Sequence, residues 1–508
     1  MKRFFLLAAL AFTISGKIKA TAGDSIWAVP FIHDIYLNYS QTDFYDSLVN
    51  THVTDTYIQT TMIFDGRTMI IGSKFKGNSS YNNPSQKKSF KLDLNMYVPG
   101  QDYDGIKKLN LNNGFKDPTM MREKLMLDFC NAHNIPAPRC TYARVYLNNV
   151  FWGLYTLVEE VNSKFLRQQY PDDNGALFKG DPSGDLKYYG SSYTNYTSHY
   201  ELQSDDTLYD WSKLVHLIDI GNNTPAANYY DSLETVLNSW SFLDYLAVCN
   251  IFVDLDSYIG SGHNYFLYED STYDKFHMIA WDVNEGFGNF NLGMTISQLQ
   301  NLNYDYLNQP ANKPLAQKIL ADPTYHANYV GIFCVYMADF NNAYMDPKID
   351  SLANMIRNDV YADTASMYTP QNFEDNIVQD IQIIGGPGGG WICGLKPFIT
   401  ARNASLSSQL QPYGCWLGVN EQTVSNSLAV FPNPASDIAN IQLPSAWNIS
   451  DCALTLIDMT GKEIAVGNLT VADHSVSFST ASISNGLYFV NVKDRNGNSA
   501  SVKFSVSH

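Results

Sequence analysis

Three kinds of hydrophobic patterning follow one another along this 508-residue chain, and their order limits what it can fold into. Thr56 to Gly72 alternates apolar and polar residues, and so does Ser89 to Leu94, where Phe90, Leu92 and Leu94 share a face. A period of two marks half-buried strands. Residues 205–250, 315–380 and 398–410 carry apolar residues at helical spacing instead, with Trp211, Leu214, Leu217 and Ile218 on one face. Near Asn420 the pattern changes again to short alternating runs, from Leu428 to Phe431 through to Val502 to Val506. Turns such as Met459-Thr-Gly461 and Arg495-Asn-Gly497 divide them. Strands, then helices, then regular short strands predict an α+β body with two lobes and a separate small all-β sandwich.

Local signals refine this. Asp117-Pro118 reads as the opening of a helix, with Asp as cap and Pro at the first helical position. Met121, Leu125, Leu127 and Phe129 supply its apolar residues, and it stops before Ile135-Pro-Ala-Pro138. Ala143 to Leu147 and Phe151 to Val158 form a hairpin, because Asn148-Asn149 suits a turn that needs positive φ.

Acids exceed bases by 50 to 33, a net charge of −17, which argues against nucleic acid as a partner. Lys2-Arg3, the apolar run Phe4 to Ile14 and Ala20-Thr-Ala22 compose a signal peptide over residues 1–22. No other run approaches the roughly 18 apolar residues of a membrane-spanning helix. Seven Cys occur without a CxxC or a Cys/His cluster, so a zinc site is not expected. Cys130 with Cys140 and Cys393 with Cys415 are nearest in sequence, but spacing assigns no bridge.

The chemistry-bearing residues lie together in the order Asp256, Asn264, Asp282. Asp256-Ser-Tyr-Ile-Gly-Ser-Gly-His-Asn264 precedes a hydrophobic strand, and Asp282 follows in a turn closed by Gly286-Phe-Gly288. Phosphoryl transfer needs a carboxylate to orient a hydroxyl, with an amide and a second carboxylate to hold Mg²⁺. Asp256 is therefore the candidate catalytic residue, and Asn264 and Asp282 are the candidate metal ligands. For nucleotide phosphates the chain offers Lys88 and Lys91, which strand alternation sends to opposite faces, so that at most one enters a cleft. Lys88 is the preferred one, and Glu123 is a candidate partner for it. Gly77, Ser79 and Ser80 offer backbone N–H groups to phosphate. Gly385 to Gly390 reads as a flexible loop. His263 reads as a core or loop histidine, since no Gly-x-Ser-x-Gly elbow accompanies it.

These residues resemble a known family. Lys76-Gly-Asn-Ser-Ser80, Lys87 to Lys91, Asp117 to Lys124, Val145 to Glu159, Asp256 with His263 to Tyr268, and Trp281-Asp282 with Phe287-Gly288 are similar to the CotH family of secreted atypical protein kinases. The resemblance covers about residues 50–410. It implies a two-lobed protein-kinase-like domain that uses ATP with Mg²⁺ or Mn²⁺ and phosphorylates Ser or Thr of secreted or surface proteins. By position Asp256 matches the family's catalytic Asp and Asp282 its metal-binding Asp. Glu159 falls where a hinge would leave the first lobe and would shape the adenine pocket. Two departures stand out: Asn284 replaces a second acid common among relatives, and Lys76 stands where Arg is common.

The tail resembles a different family. Val430-Phe-Pro-Asn-Pro-Ala-Ser436, Asp458 to Lys462 and Asn485 to Val490 are similar to the type A C-terminal sorting domain of the type IX secretion system of Bacteroidetes-type bacteria. This implies an immunoglobulin-like sandwich that directs the chain across the outer membrane, with release or surface attachment. The expected organisation is a signal peptide (1–22), a CotH-like kinase domain (23–420) and a sorting domain (421–508). A catalytically weak surface protein used for binding or adhesion is the alternative, because ATP is scarce outside cells and Asn284 weakens the metal site.

Overall fold

The structure, a computed structural model, describes residues 21–28, 31–204, 207–385, 389–415, 428–443, 452–459, 462–467, 469–472, 475–494 and 499–508. The signal peptide, the pattern change near Asn420, the turn at 495–497 and parts of the loops at 385–390 and 459–461 lie outside these residues. The chain divides into two compact units. One comprises residues 1–114, 138–173 and 355–367, and the other residues 115–137, 174–354 and 368–508.

The first unit is built on a closed seven-stranded barrel. Its strands are β1 (His33–Asn38), β2 (Ile58–Phe64), β3 (Arg67–Lys76), β4 (Ser89–Asp93), β5 (Lys108–Asn112), β6 (Cys140–Leu147) and β7 (Val150–Glu159). They run in the order β1-β2-β3-β4-β5-β7-β6, and the parallel pairing of β1 with β6 closes the circle. Closure leaves no open edge among these strands. Alternation fills the interior: Ile35, Leu37, Met62, Phe64, Ile71, Phe90, Leu92, Leu109, Leu111, Val145 and Leu157 share one buried core. The β6–β7 hairpin turns at Asn148 and Asn149, both with positive φ, as their residue types predict.

Segment 355–367 belongs to this unit although it begins 196 residues after the hairpin ends at Glu159, and buried charge ties it there. The Asp363 carboxylate accepts from Lys87 Nζ at 2.5 Å and from the backbone N–H of Leu154 at 3.0 Å. Arg144 Nε donates to Asp359 at 2.6 Å. A Cβ at Gly153 would lie 2.6 Å from the Asp363 carboxylate, so the approach needs glycine. Burial pushes the Lys87 amine below its ordinary value, and Asp363 opposes that shift.

The second unit is mixed. A four-stranded sheet in the order β11-β10-β8-β9 consists of β8 (Leu177–Gly180), β9 (Tyr200–Leu202), β10 (Tyr265–Asp270) and β11 (Lys275–Ala280). Helices at Thr207–Asn223, Ser239–Phe252, Pro314–Ala321, Pro323–Tyr336, Pro370–Val378 and Leu395–Leu410 accompany it. Ser239–Phe252 is buried on nearly every side, as a helix apolar all round must be. The helix expected from Asp117 starts at Arg122 instead, because Met120 adopts φ 57°. Asp117 still caps it from outside, its carboxylate accepting from the backbone N–H of Arg122 at 2.8 Å and from Arg122 Nη1 at 2.5 Å. The disulfide joins Cys334 to Cys415 rather than either pair nearest in sequence. Beyond residue 428 the described chain is all-β. Two four-stranded antiparallel sheets share one apolar core that includes Ala439, Ile441, Leu456, Phe478, Val490 and Phe504.

Asp363→Ala should lower stability by about 3–5 kcal/mol, because it leaves the buried Lys87 ammonium without its carboxylate. Adding Lys87→Met should recover most of that loss in urea unfolding. A double variant as unstable as the single one would contradict this reading of the pair.

Candidate functional site

In the second unit the functional residues are set by the end of one helix and one edge of the sheet. The buried helix Ser239–Phe252 ends at Val253, which adopts left-handed φ 48° and ψ 52°. A β-branched residue there is strained by about 1–3 kcal/mol, a cost met at functional sites. That turn sends Asp254-Leu255-Asp256 out of the helix. Gly260 then folds back so closely that a Cβ would sit 1.8 Å from the Leu255 carbonyl oxygen. Two further residues of the group, Asn264 (φ 59°) and Asp282 (φ 55°), share the left-handed conformation.

The sheet brings separate segments to one edge. Gly180 of β8 lies opposite Tyr265 of β10, which lies opposite Ala280 of β11. Asp181, Asn264 and Asp282 therefore all lie just beyond the same end of the sheet. Backbone bonds lock the last of these segments to the helix end: the N–H of Phe287 donates to the Phe252 carbonyl at 2.6 Å, and that of Gly288 to the Val253 carbonyl at 3.2 Å.

Asp256 is held from two sides. Asn264 Nδ2 donates to the Asp256 carboxylate at 3.1 Å and to its backbone carbonyl at 2.9 Å. His263 Nε2 lies 3.1 Å from the other carboxylate oxygen. His263 lies in the loop before β10, as its residue context predicts, and from that loop it joins the site. Burial opposes the charge on its ring, but Asp256, Asp181 and Asp282 outweigh burial and raise its pKa.

Acidic groups crowd this edge. Asp254 is fully buried, and neither carboxylate oxygen has a hydrogen-bond partner of good geometry among the described residues. Burial pushes its pKa well above the ordinary range, and the charges of Asp256, Glu285 and Asp282 push the same way. Glu285 is pushed up to about 7, first by burial and then by Asp256, with Lys116 opposing from an ion pair at 2.8 Å. Lys179 on β8 bonds Asp181 at 2.5 Å. Burial disfavours the charge on Lys179, but Asp181, Glu201 and Asp282 outweigh burial and raise its pKa. Asn284, the neutral residue at the expected second acid, donates to the Phe115 carbonyl at 3.0 Å, a bond that an aspartate cannot make.

Among the described residues no three His, Cys, Asp or Glu are gathered closely enough to hold a metal unaided. The donors still fit a hard cation that phosphate oxygens help to hold, since Mg²⁺ takes oxygen ligands and few carboxylates. Asn264 spends its amide nitrogen on Asp256, which leaves its carbonyl oxygen as the accepting end. A divalent cation nearby would favour the charged form of Asp254, which burial and the neighbouring acids disfavour.

The first unit has its own cluster. Lys91 Nζ donates to Glu160 Oε1 at 2.7 Å, Asn110 Nδ2 donates to Glu160 Oε2 at 2.6 Å, and Lys76 Nζ donates to Asn110 Oδ1 at 3.1 Å. Lys88, the lysine preferred from sequence, instead donates to the backbone carbonyls of Tyr81 and Asn83 at 2.6 and 2.5 Å. Glu159 is buried in a two-pronged pair with Arg139 at 2.6 and 2.9 Å. Ser79 opens a short exposed helix, Ser79–Asn82. Glu123 is buried in the second unit, and the carboxylate paired with Lys91 is Glu160.

Residues 74–384 match the family model described as CotH kinase protein, and residues 429–507 match that of the secretion system C-terminal sorting domain. The sorting domain marks the chain for export and attachment at the cell surface and implies the type IX secretion machinery as a partner. No helix among the described residues is long and apolar enough to cross a membrane. The inner spore coat protein H of Bacillus subtilis is 25% identical over 54% of this chain and 73% of its own length. Two Rhizopus delemar proteins are more distant: invasin CotH3 is 22% identical over 75% of this chain and 66% of its own length, and spore coat protein homolog 1 is 20% identical over 77% and 66%.

Glu285 binds its proton more tightly folded than unfolded. Its contribution to stability is therefore full below the ordinary 4.5 and is lost as pH rises through about 7. Glu285→Gln should remove about 3 kcal/mol of that decline across this window, read from urea midpoints at each pH. An unchanged decline would contradict the assignment.

Proposed function

We propose that this chain, which belongs to the CotH kinase protein family, is an exported protein kinase that transfers the terminal phosphoryl group of ATP to Ser or Thr of secreted or surface proteins. The observation that carries this reading is the placement of Asp256. It is held by Asn264 and His263 at the sheet edge where Asp282 emerges, close in sequence to the fully buried Asp254.

In this reading Asp256 accepts a hydrogen bond from the incoming hydroxyl, orients it and takes its proton. Asn264 and His263 fix the carboxylate so that it does not have to find its place during the reaction. Asn264 and Asp282 are the oxygen donors for Mg²⁺ or Mn²⁺, which when bound neutralises phosphate charge. In the first unit, taken by itself, Lys91 with its partner Glu160 is the cation assigned to nucleotide phosphate. Lys88 and Ser79 shape the neighbouring loop, and Glu159 braces the end of β7. The two-lobed kinase-like fold, and an immunoglobulin-like form for the tail, belong to the same proposal.

A second reading, a surface protein used for binding or adhesion, is favoured by Asn284. Its amide is committed to the Phe115 carbonyl and supplies no second acid. Two relatives also carry names of a coat protein and an invasin rather than of an enzyme.

The full chain incubated with Mn²⁺ and ATP labelled at the γ or α phosphate separates these readings. The γ label should appear on the chain or on casein, and Asp256→Ala should reduce its transfer by about 10²–10⁴-fold. Asp282→Ala should abolish metal-dependent nucleotide binding. Transfer of the α label would indicate AMP transfer instead, and neither transfer nor binding would leave the adhesion reading.

A further inference from the structure

Phosphoryl transfer places negative charge on three phosphate oxygens beside the carboxylate that orients the hydroxyl, and a cation there is normally needed in addition to metal. The chain following Asp256 offers none: no Lys or Arg occurs between Asp256 and Lys275. The other cations near this edge have partners: Lys116 is paired with Glu285, the His263 ring with Asp256, and Lys313 Nζ donates to the Gly260 and Asn308 carbonyls at 3.0 Å each. Lys179 is paired too, but it stands on a sheet strand next to the row that ends at Asp181, Asn264 and Asp282.

Lys179 lies on β8 opposite Phe266 of β10, one residue inside the row Gly180, Tyr265, Ala280. Residues two apart on a strand share a face, so Lys179 and Asp181 project together, and their side chains meet at 2.5 Å. Glu201, its register partner on β9, lies 3.9 Å from the ammonium on the other side. Asp282, beyond the end of β11, acts on the same ammonium electrostatically. The ammonium is therefore held close to the sheet end beyond which Asn264 and Asp282 lie, and its side chain is 23% accessible.

We propose that Lys179 is a catalytic residue of this site, its ammonium binding the terminal phosphate of the nucleotide, and that Asp181 is its positioning residue. The inference rests on the phosphotransferase reading above. In the step, the bond from the terminal phosphorus to the oxygen bridging to ADP breaks, and that oxygen leaves with the electron pair. A bond from the phosphorus to the substrate hydroxyl oxygen forms, and the hydroxyl proton passes to Asp256. Lys179 stays protonated throughout and donates hydrogen bonds to the phosphate oxygens as they gain charge. Asp181 keeps the ammonium from turning to Glu201 or Asp282.

The test uses the full chain with Mn²⁺ and compares wild type, Lys179→Met, Lys179→Arg and Asp256→Ala. Two readouts are taken: γ-phosphate transfer to casein, and calorimetric affinity for ADP and for a non-hydrolysable ATP analogue. Lys179→Met should slow transfer by about 10²-fold and erase the preference for the triphosphate over ADP, with ADP affinity unchanged. Lys179→Arg, which keeps the charge, should recover part of both. If Lys179→Met keeps the wild-type rate and preference while Asp256→Ala is inactive, the role of Lys179 is overturned and the kinase reading stands. If wild type neither transfers phosphate nor binds either nucleotide, the kinase reading falls and this inference falls with it.

Discussion

Two backbone hydrogen bonds, from Phe287 to Phe252 and from Gly288 to Val253, are what the candidate site depends on. They fasten the turn that carries Asp282 to the helix end that launches Asp254 and Asp256. Close by, Asp256 and Asp282 raise the cost of charging Asp254 and Glu285. The fold holds them against that repulsion and accepts left-handed backbone at Val253, Asn264 and Asp282 to do so. Strain and like charge concentrated at one sheet edge are what the proposed metal-dependent reading would use.

The charge of the whole molecule sharpens this. A chain at −17 does not draw a polyphosphate towards itself from a distance. In the proposed reading, attraction would come from cations at short range, and within each unit taken by itself such cations are paired with a carboxylate: Lys91 with Glu160 in the first, Lys116 with Glu285 and Lys179 with Asp181 in the second. Such pairs fix the ammonium groups in place before any ligand arrives, which reduces what binding must spend on ordering them. Export under the sorting domain sets where the chemistry would be used.

Much of this was legible in the sequence. Period-two patterning located β2 to β4, though not the turn between β2 and β3, and Asn148-Asn149 located the β6–β7 turn; β1 and β5 carried no signal that was read. The spacing of Asp256, Asn264 and Asp282 singled out three residues that the sheet brings near one another. Register was not legible: that Lys179 and Asp181 reach the same edge follows from the pairing of β8 with β10, a contact across more than 80 residues. Barrel closure by β1 and β6 is likewise a long-range pairing that no local pattern encodes. Lys88 and Lys91 looked alike as strand lysines, and only their partners, two backbone carbonyls against Glu160, tell them apart. The helix beginning at Arg122 rather than Asp117 reflects positive φ at Met120, which the Asp-Pro signal does not disclose.

The account's central claim is that this carboxylate edge is half of a metal site, to be completed by phosphate oxygens. Mn²⁺ binding to the full chain, followed by electron paramagnetic resonance with and without a non-hydrolysable ATP analogue, tests it most directly. The account predicts weak binding of Mn²⁺ alone, tight binding once the nucleotide is present, and loss of the tight component in Asp282→Asn. Nucleotide that leaves Mn²⁺ affinity unchanged, or an Asp282→Asn variant that binds as wild type does, would contradict it.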